Sequence, residues 1–127
     1  MPAIFRSKVA IIVEPRPDLA ATVAECLRMR HYVVVVATTH AGGAELALAQ
    51  ARVDFLVAAV PAPGESRVGA YLAVAREENP GMGVVVMLAD PYESLEGTPE
   101  GVVKIIKPFS VAELEAALDR AGATDPA

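Results

Sequence analysis

The side chains that could carry out chemistry are few, and they are scattered along the chain. Glu14, Asp90 and Lys107 each stand at or near the end of an apolar run. No Ser/His/Asp or Cys/His set, pair of carboxylates or zinc-ligand spacing accompanies them at the predicted strand ends. The predicted strand ends therefore lack the side chains that nucleophilic catalysis or metal binding would need. We predict no enzyme activity, no metal and no cofactor.

The sulfur and imidazole groups have structural explanations. Cys26 is the only cysteine, which excludes an internal disulfide and agrees with a reducing compartment. It shares a helical face with Val23 and Leu27, so we predict a core thiol rather than a reactive one. His31 and His40 stand at opposite ends of one predicted strand, where we expect surface or capping roles rather than a shared metal.

Composition places the chain among single-domain proteins with a large core. The sequence has 127 residues, 54% of them hydrophobic, and a mean hydropathy of +0.40. These values fit a sheet that is covered by helices on both faces. No apolar run is long enough to cross a bilayer and no signal-peptide pattern is present, so we expect a cytoplasmic protein without membrane contact. A net charge of -5 without a cluster of Lys or Arg argues against direct nucleic-acid binding.

Apolar runs and helical spacings alternate along the chain. Five runs predict strands, and five helical patterns follow or separate them. This alternation is typical of a three-layer, doubly wound α/β domain with a parallel sheet. The predicted strands are 9–13, 33–37, 54–60, 83–88 and 102–106. The predicted helices are 17–30, 41–51, 66–79, one or two turns around 92–96, and 111–121.

The third run is the predicted centre of the sheet. Residues 54–60 contain six consecutive apolar residues after one acid, and Pro61 and Pro63-Gly64 end the run. In an open parallel sheet the ligand crevice lies at the carboxyl ends of the central strands. Residues around Ala59 should therefore form the floor of any site. That floor carries no titratable group, nucleophile or metal ligand.

The last helix has a local start signal. Ser110 with Glu113 three residues later forms a predicted capping box, and Phe109 can pack on Leu114 as a hydrophobic staple. Lys107-Pro108 comes directly before this signal, at the end of the fifth predicted strand.

Three features together resemble the receiver domain of bacterial response regulators: Lys107-Pro108-Phe109-Ser110, Asp54-Phe55-Leu56-Val57, and Pro63-Gly64. The resemblance implies a CheY-like (flavodoxin-like) sheet of order 2-1-3-4-5 and a cis Lys107-Pro108 bond. We expect residues 1–7 to be an extension, 8–121 the receiver-like domain and 122–127 a tail or the start of a linker. The segment after Ala89 is shorter than receivers usually have, which predicts a shortened fourth helix.

The resemblance also shows a degenerate phosphorylation site. Receivers use an acceptor aspartate, two acids that hold Mg²⁺, a hydroxyl and a lysine around the transferred phosphoryl group. In this sequence the acceptor falls on Ala59, the acids on Glu14 and Pro15, the hydroxyl on Ala89 and the switch aromatic on Lys104. Lys107 alone is retained. We predict that it pairs with Glu14 or Asp90. Asp90 is a poor substitute acceptor because it follows strand four rather than strand three.

Two functional hypotheses follow. The first is a pseudo-receiver that works without phosphorylation, as an interaction or regulatory module in two-component-type signalling. Its expected partners are signalling proteins or an attached output domain, and it could also form a homodimer. The alternative is a small-ligand-binding domain that uses the emptied crevice. Against the alternative, the segment from Glu14 to Pro17 has no glycine-rich phosphate cradle, and its two prolines lack amide donors.

Overall fold

The computed structural model describes residues 8–39, 52–60, 75–89 and 101–122. These ranges contain five strands and two complete helices, and residues 75–78 are also helical. The strands are β1 Lys8–Val13, β2 Tyr32–Ala37, β3 Phe55–Val60, β4 Gly83–Leu88 and β5 Val103–Ile106. The helices are α1 Pro17–Arg28 and α2 Val111–Arg120. Within these ranges, no helix has the length and apolar character needed to cross a membrane.

The five strands form one parallel sheet of order β2-β1-β3-β4-β5. This confirms the predicted strand order. Val13 lies opposite Ala58, and Leu88 lies opposite both Val60 and Ile106. The carboxyl ends of β1, β3, β4 and β5 therefore meet at one edge of the sheet, as they must in a parallel arrangement.

Both faces of the sheet are apolar, which explains the unbroken hydrophobic runs of the strands. One face, which includes Ile12 and Val57, packs against α1 and α2, and Leu118 of α2 belongs to the same core. The opposite face includes Ile11 and Leu56. Successive residues of a strand point to opposite faces, so alternate residues of each apolar run pack into two different cores. In β3, residues 55–59 are all buried, which confirms the predicted central strand.

The starts of the two helices differ in how their backbone is satisfied. α1 begins with Pro17 at its first position and has no side-chain cap, although Asp18 in the first turn suits the helix dipole. α2 begins with the predicted capping box. The Glu113 N–H donates to Ser110 Oγ at 3.1 Å, and the Ser110 N–H donates to Glu113 Oε1 at 3.2 Å.

The end of α1 differs from the prediction. The helix ends at Arg28 rather than residue 30, because the chain turns at His31, whose φ of 66° lies in the left-handed region. The predicted helix 41–51, the first part of helix 66–79 and the shortened fourth helix lie outside the described residues. His40, Asp90, the extension 1–7 and most of the predicted tail lie outside them too.

A charged cluster ties the end of α1 to α2. The Arg30 guanidinium, only 12% exposed, contacts Asp119 Oδ1 at 2.6 Å and also pairs with Glu115. These two acids lie one helical turn apart on α2, so one planar guanidinium can serve both. Beside them, burial first and a hydrogen bond with Glu115 second raise the pKa of the Cys26 thiol to about 11. The predicted core location of Cys26 is confirmed, since its side chain is buried.

The Gly83→Ala substitution should destabilise the fold. A Cβ at this position would lie 2.4 Å from the Ala121 carbonyl oxygen and 2.4 Å from the Phe55 ring. Because both neighbours belong to the packed core, we expect a loss of about 1–3 kcal/mol in the free energy of unfolding by urea. The control is Gly81→Ala, where a Cβ would meet nothing within 4 Å. Equal effects of the two substitutions would contradict this account of the packing.

Cys26 should be almost inert toward iodoacetamide in the native protein. At pH 8, raising the thiol pKa from 9.0 to about 11 lowers the thiolate fraction about a hundredfold. Because burial disfavours the thiolate, the thiol leaves folding stability unchanged below about pH 9 and lowers it as the pH rises from 9 toward 11. The control is the same reaction in urea. A native alkylation rate close to the rate in urea would show that the thiol is not buried.

Candidate functional site

The predicted site positions lie at the carboxyl edge of the sheet. Glu14 follows β1, Ala59 is the second-last residue of β3, Ala89 follows β4 and Lys107 follows β5. The parallel register places these strand ends side by side. These four positions therefore bring together one carboxylate, one ammonium group and two methyl groups.

Lys107 is paired across this edge with Glu14. Its Nζ donates to Glu14 Oε1, and the Glu14 side chain is 0% exposed while that of Lys107 is 23% exposed. The second carboxylate oxygen, Oε2, accepts a hydrogen bond from the Arg16 N–H at 3.2 Å. The prediction that Lys107 pairs with Glu14 or Asp90 is confirmed for Glu14.

The ion pair joins the ends of two strands that are not neighbours in the sheet. β3 and β4 lie between β1 and β5, so three strand spacings, about 14 Å along the sheet, separate the two backbones. The strand ends between them carry Ala59 and Ala89, each with a single methyl group. No larger side chain stands at these two positions to separate the Lys107 ammonium group from the Glu14 carboxylate.

The sequence does not predict the burial of Glu14. A buried carboxylate is costly unless it is paired and hydrogen-bonded, and both of its oxygens have partners here. Its backbone is held as well, because the Glu14 N–H donates to the Ala37 carbonyl at 3.0 Å. The available signal was an acid directly after one buried strand and a lysine directly after another.

A cleft of about 390 Å³ adjoins the ion pair. Its walls are the first turns of α1, Ala89 and the loop from Lys107 to Phe109. Arg16 also lines it and lies 3.4 Å from Asp18 in an exposed ion pair. Both basic side chains of the cleft therefore already have carboxylate partners.

A second cleft, of about 320 Å³, lies at the opposite edge of the sheet and has a structural explanation. Asp54 accepts a hydrogen bond from the Val9 N–H at 2.9 Å and pairs with Arg52 Nε at 2.8 Å. Asn79 accepts from the Val53 N–H at 2.8 Å. These polar groups fasten the chain as it enters β3.

The residues at the carboxyl edge do not fit a magnesium ion. Mg²⁺ requires a near-octahedral set of oxygen ligands. Both oxygens of Glu14 are engaged, and neither Pro15 nor Ala59 has a side-chain donor. Across the described ranges, no group of three or more His, Cys, Asp or Glu residues could hold a metal.

Two further positions bear on the resemblance. The Lys107-Pro108 peptide bond is cis, as the resemblance implies. Lys104, at the position of the switch aromatic, lies exposed on β5 and has no ring to rotate inward.

The sequence matches no protein-family model and no curated protein. Solved structures of response regulator receiver (CheY-like) domains do match in fold. The receiver protein of Sinorhizobium medicae has a TM-score of 0.76 at 21% identity, covering 91% of this chain and 94% of its own. The signal receiver domain of an HD domain-containing protein from Pseudomonas fluorescens has a TM-score of 0.73 at 20% identity, covering 95% and 90%.

A third similar structure is the chemotaxis response regulator CheY4 of Vibrio cholerae. Its TM-score is 0.70 at 18% identity, and the match covers 91% of this chain and 99% of the other. At these identities the comparisons show a shared fold, and they confirm the predicted CheY-like (flavodoxin-like) architecture.

Replacing one partner of the Glu14–Lys107 ion pair should destabilise the fold far more than replacing both partners. Lys107→Met leaves a buried, uncompensated carboxylate, so we expect a loss of about 3–5 kcal/mol in the free energy of unfolding by urea. The double variant with Glu14→Met should recover most of that loss, since no buried charge remains.

The matched control is Arg16→Gln, which breaks the exposed pair with Asp18 and should cost less than about 1 kcal/mol. Additive single and double effects at Glu14 and Lys107 would contradict direct pairing.

Proposed function

We propose that this protein is a receiver-like module that works without phosphorylation, as an interaction or regulatory domain in two-component-type signalling. The observation that carries the proposal is the pairing of Lys107 with the buried carboxylate of Glu14. In a working receiver this lysine would neutralise a phosphoryl group. Here Glu14, an acid of the same chain, already forms an ion pair with Lys107.

The groups around the pair support the same conclusion. Phosphoryl transfer to a protein needs an oxygen nucleophile, in line with the metal and the lysine. Ala59, at the acceptor position, is 7% exposed and carries only a methyl group. Ala89 has no hydroxyl to bond a phosphoryl oxygen, and Pro15 has no ligand for a metal. The proposal therefore includes neither a catalytic residue nor a metal or cofactor.

An interaction role follows from what the fold retains. The sheet and its covering helices are intact in the described ranges, so the domain keeps a stable surface while the edge chemistry is replaced. One structural neighbour is the receiver domain of an HD domain-containing protein, where a receiver belongs to a larger protein. By analogy, we propose signalling proteins or an attached output domain as partners, with a homodimer as a further arrangement.

The second candidate is binding of a small ligand in the 390 Å³ cleft. The volume of the cleft is large enough for a small ligand. Its two basic side chains give an anionic ligand little to bind, because Arg16 and Lys107 both have carboxylate partners. Prolines on both sides of Arg16 also remove two backbone donors that an anion would use. A melting temperature that rises with the concentration of a metabolite would favour this candidate over the first.

The proposal predicts no response to phosphorylating conditions. With Mg²⁺ and either acetyl phosphate or beryllofluoride, amide NMR signals of residues 59, 89 and 107 should stay in place, and the intact mass should gain no phosphoryl group. The physical reason is that no acceptor oxygen lies at the end of β3. A receiver that carries the acceptor aspartate serves as the positive control. Clustered shifts near those three residues would overturn the proposal.

A further inference from the structure

We infer that the Glu14 carboxylate is a permanent internal counter-ion, which holds Lys107 and the loop that follows it in a single arrangement. The inference rests on the proposed function, because it concerns the regulation of the same site. In this view the anion that would normally arrive as a signal is supplied by the residue that follows β1. The carboxyl edge then has no second state for a signal to select.

The first support is the way in which Glu14 is anchored. Its backbone N–H donates to Ala37 at the end of β2, and its Oε2 accepts from the Arg16 N–H at the start of α1. With Oε1 on Lys107, this one residue connects β2, α1 and the segment that follows β5. Apart from Lys107, the Glu14 backbone is held by β2 and its carboxylate by the Arg16 N–H, so a movement of the loop away from β1 must break the ion pair.

The second support is the way in which Lys107 is anchored. Its backbone N–H donates to the Leu88 carbonyl at 2.8 Å, which continues the pairing of β4 with β5 by one residue. Three residues later, Ser110 caps α2, and between them Phe109 packs against the core that α1 and α2 share with the sheet. The loop from Lys107 to Ser110 is therefore held at both ends. The ion pair also fixes the side chain of its first residue, Lys107.

The third support is that the two described strand-end positions between β1 and β5 supply no competing anion, while Asp18 in the same cleft pairs with Arg16. A ligand shifts a conformational equilibrium only by its difference in affinity for the two states. Ala59 and Ala89 offer no group that could become negatively charged and attract Lys107 away from Glu14. Opening the pair would leave a carboxylate whose side chain is 0% exposed without its counter-ion.

Acylation of lysine amines in the native protein tests the inference. Lys107 and Lys104 lie three residues apart, one paired with Glu14 and the other exposed on β5. With a water-soluble acetylating reagent and peptide mass spectrometry, we expect Lys107 to react roughly tenfold more slowly, since its ammonium group must first leave the carboxylate. This comparison uses the unaltered protein and does not depend on how any variant folds.

The Glu14→Gln variant tests the cause. Glutamine keeps the shape and an acceptor for the Arg16 N–H but removes the charge, so the Lys107 rate should rise toward that of Lys104. Amide signals of residues 107, 109 and 110 should broaden as the loop gains a second arrangement. The matched control is Asp18→Asn, which removes one negative charge from the wall of the same cleft and should leave Lys107 slow.

Equal acylation of Lys104 and Lys107 in the unaltered protein would overturn the inference. So would a Glu14→Gln variant whose Lys107 rate and loop spectrum match the original. Either result would remove the ion pair as support for the proposed function, but that proposal itself fails only if beryllofluoride with Mg²⁺ shifts the signals near residue 59. The two failures are therefore distinguishable.

Discussion

A buried carboxylate must have a counter-ion, and this constraint organises the carboxyl edge of the sheet. Glu14 follows β1 in a place that water does not reach, so its charge is tolerable only because Lys107 and the Arg16 N–H meet it. The Lys107 side chain therefore reaches from the end of β5 across the ends of two intervening strands. The same carboxylate contacts the start of α1 and the loop before α2.

α1 is consequently tied at both ends. Near its start, the Arg16 N–H joins the carboxylate that holds Lys107, and beyond its end, Arg30 joins two acids of α2. Sliding α1 along the sheet would break charged contacts at two separate places. These contacts support the proposal that the domain works as an interaction surface and without a phosphorylation switch.

The sequence predicts most of the fold because the relevant signals are local. Continuous apolar runs indicate strands that are buried on both faces, and the spacing of Ser110 and Glu113 indicates where α2 begins. The end of α1 was misplaced by two residues, since the helical spacing of apolar residues does not report the turn at His31. The burial of Glu14 and the cluster around Arg30 depend on contacts between distant segments, which periodicity cannot reveal. For Lys107 the sequence left two partners open, and the folded chain shows the pair with Glu14.

The most direct test of the central claim is a crystal structure of the protein grown with Mg²⁺ and beryllofluoride. The account predicts that Lys107 Nζ still contacts Glu14 Oε1, with neither a beryllofluoride group nor a metal ion beside Ala59. Density for either ligand at that edge, with the lysine turned away from Glu14 to meet it, would contradict the account.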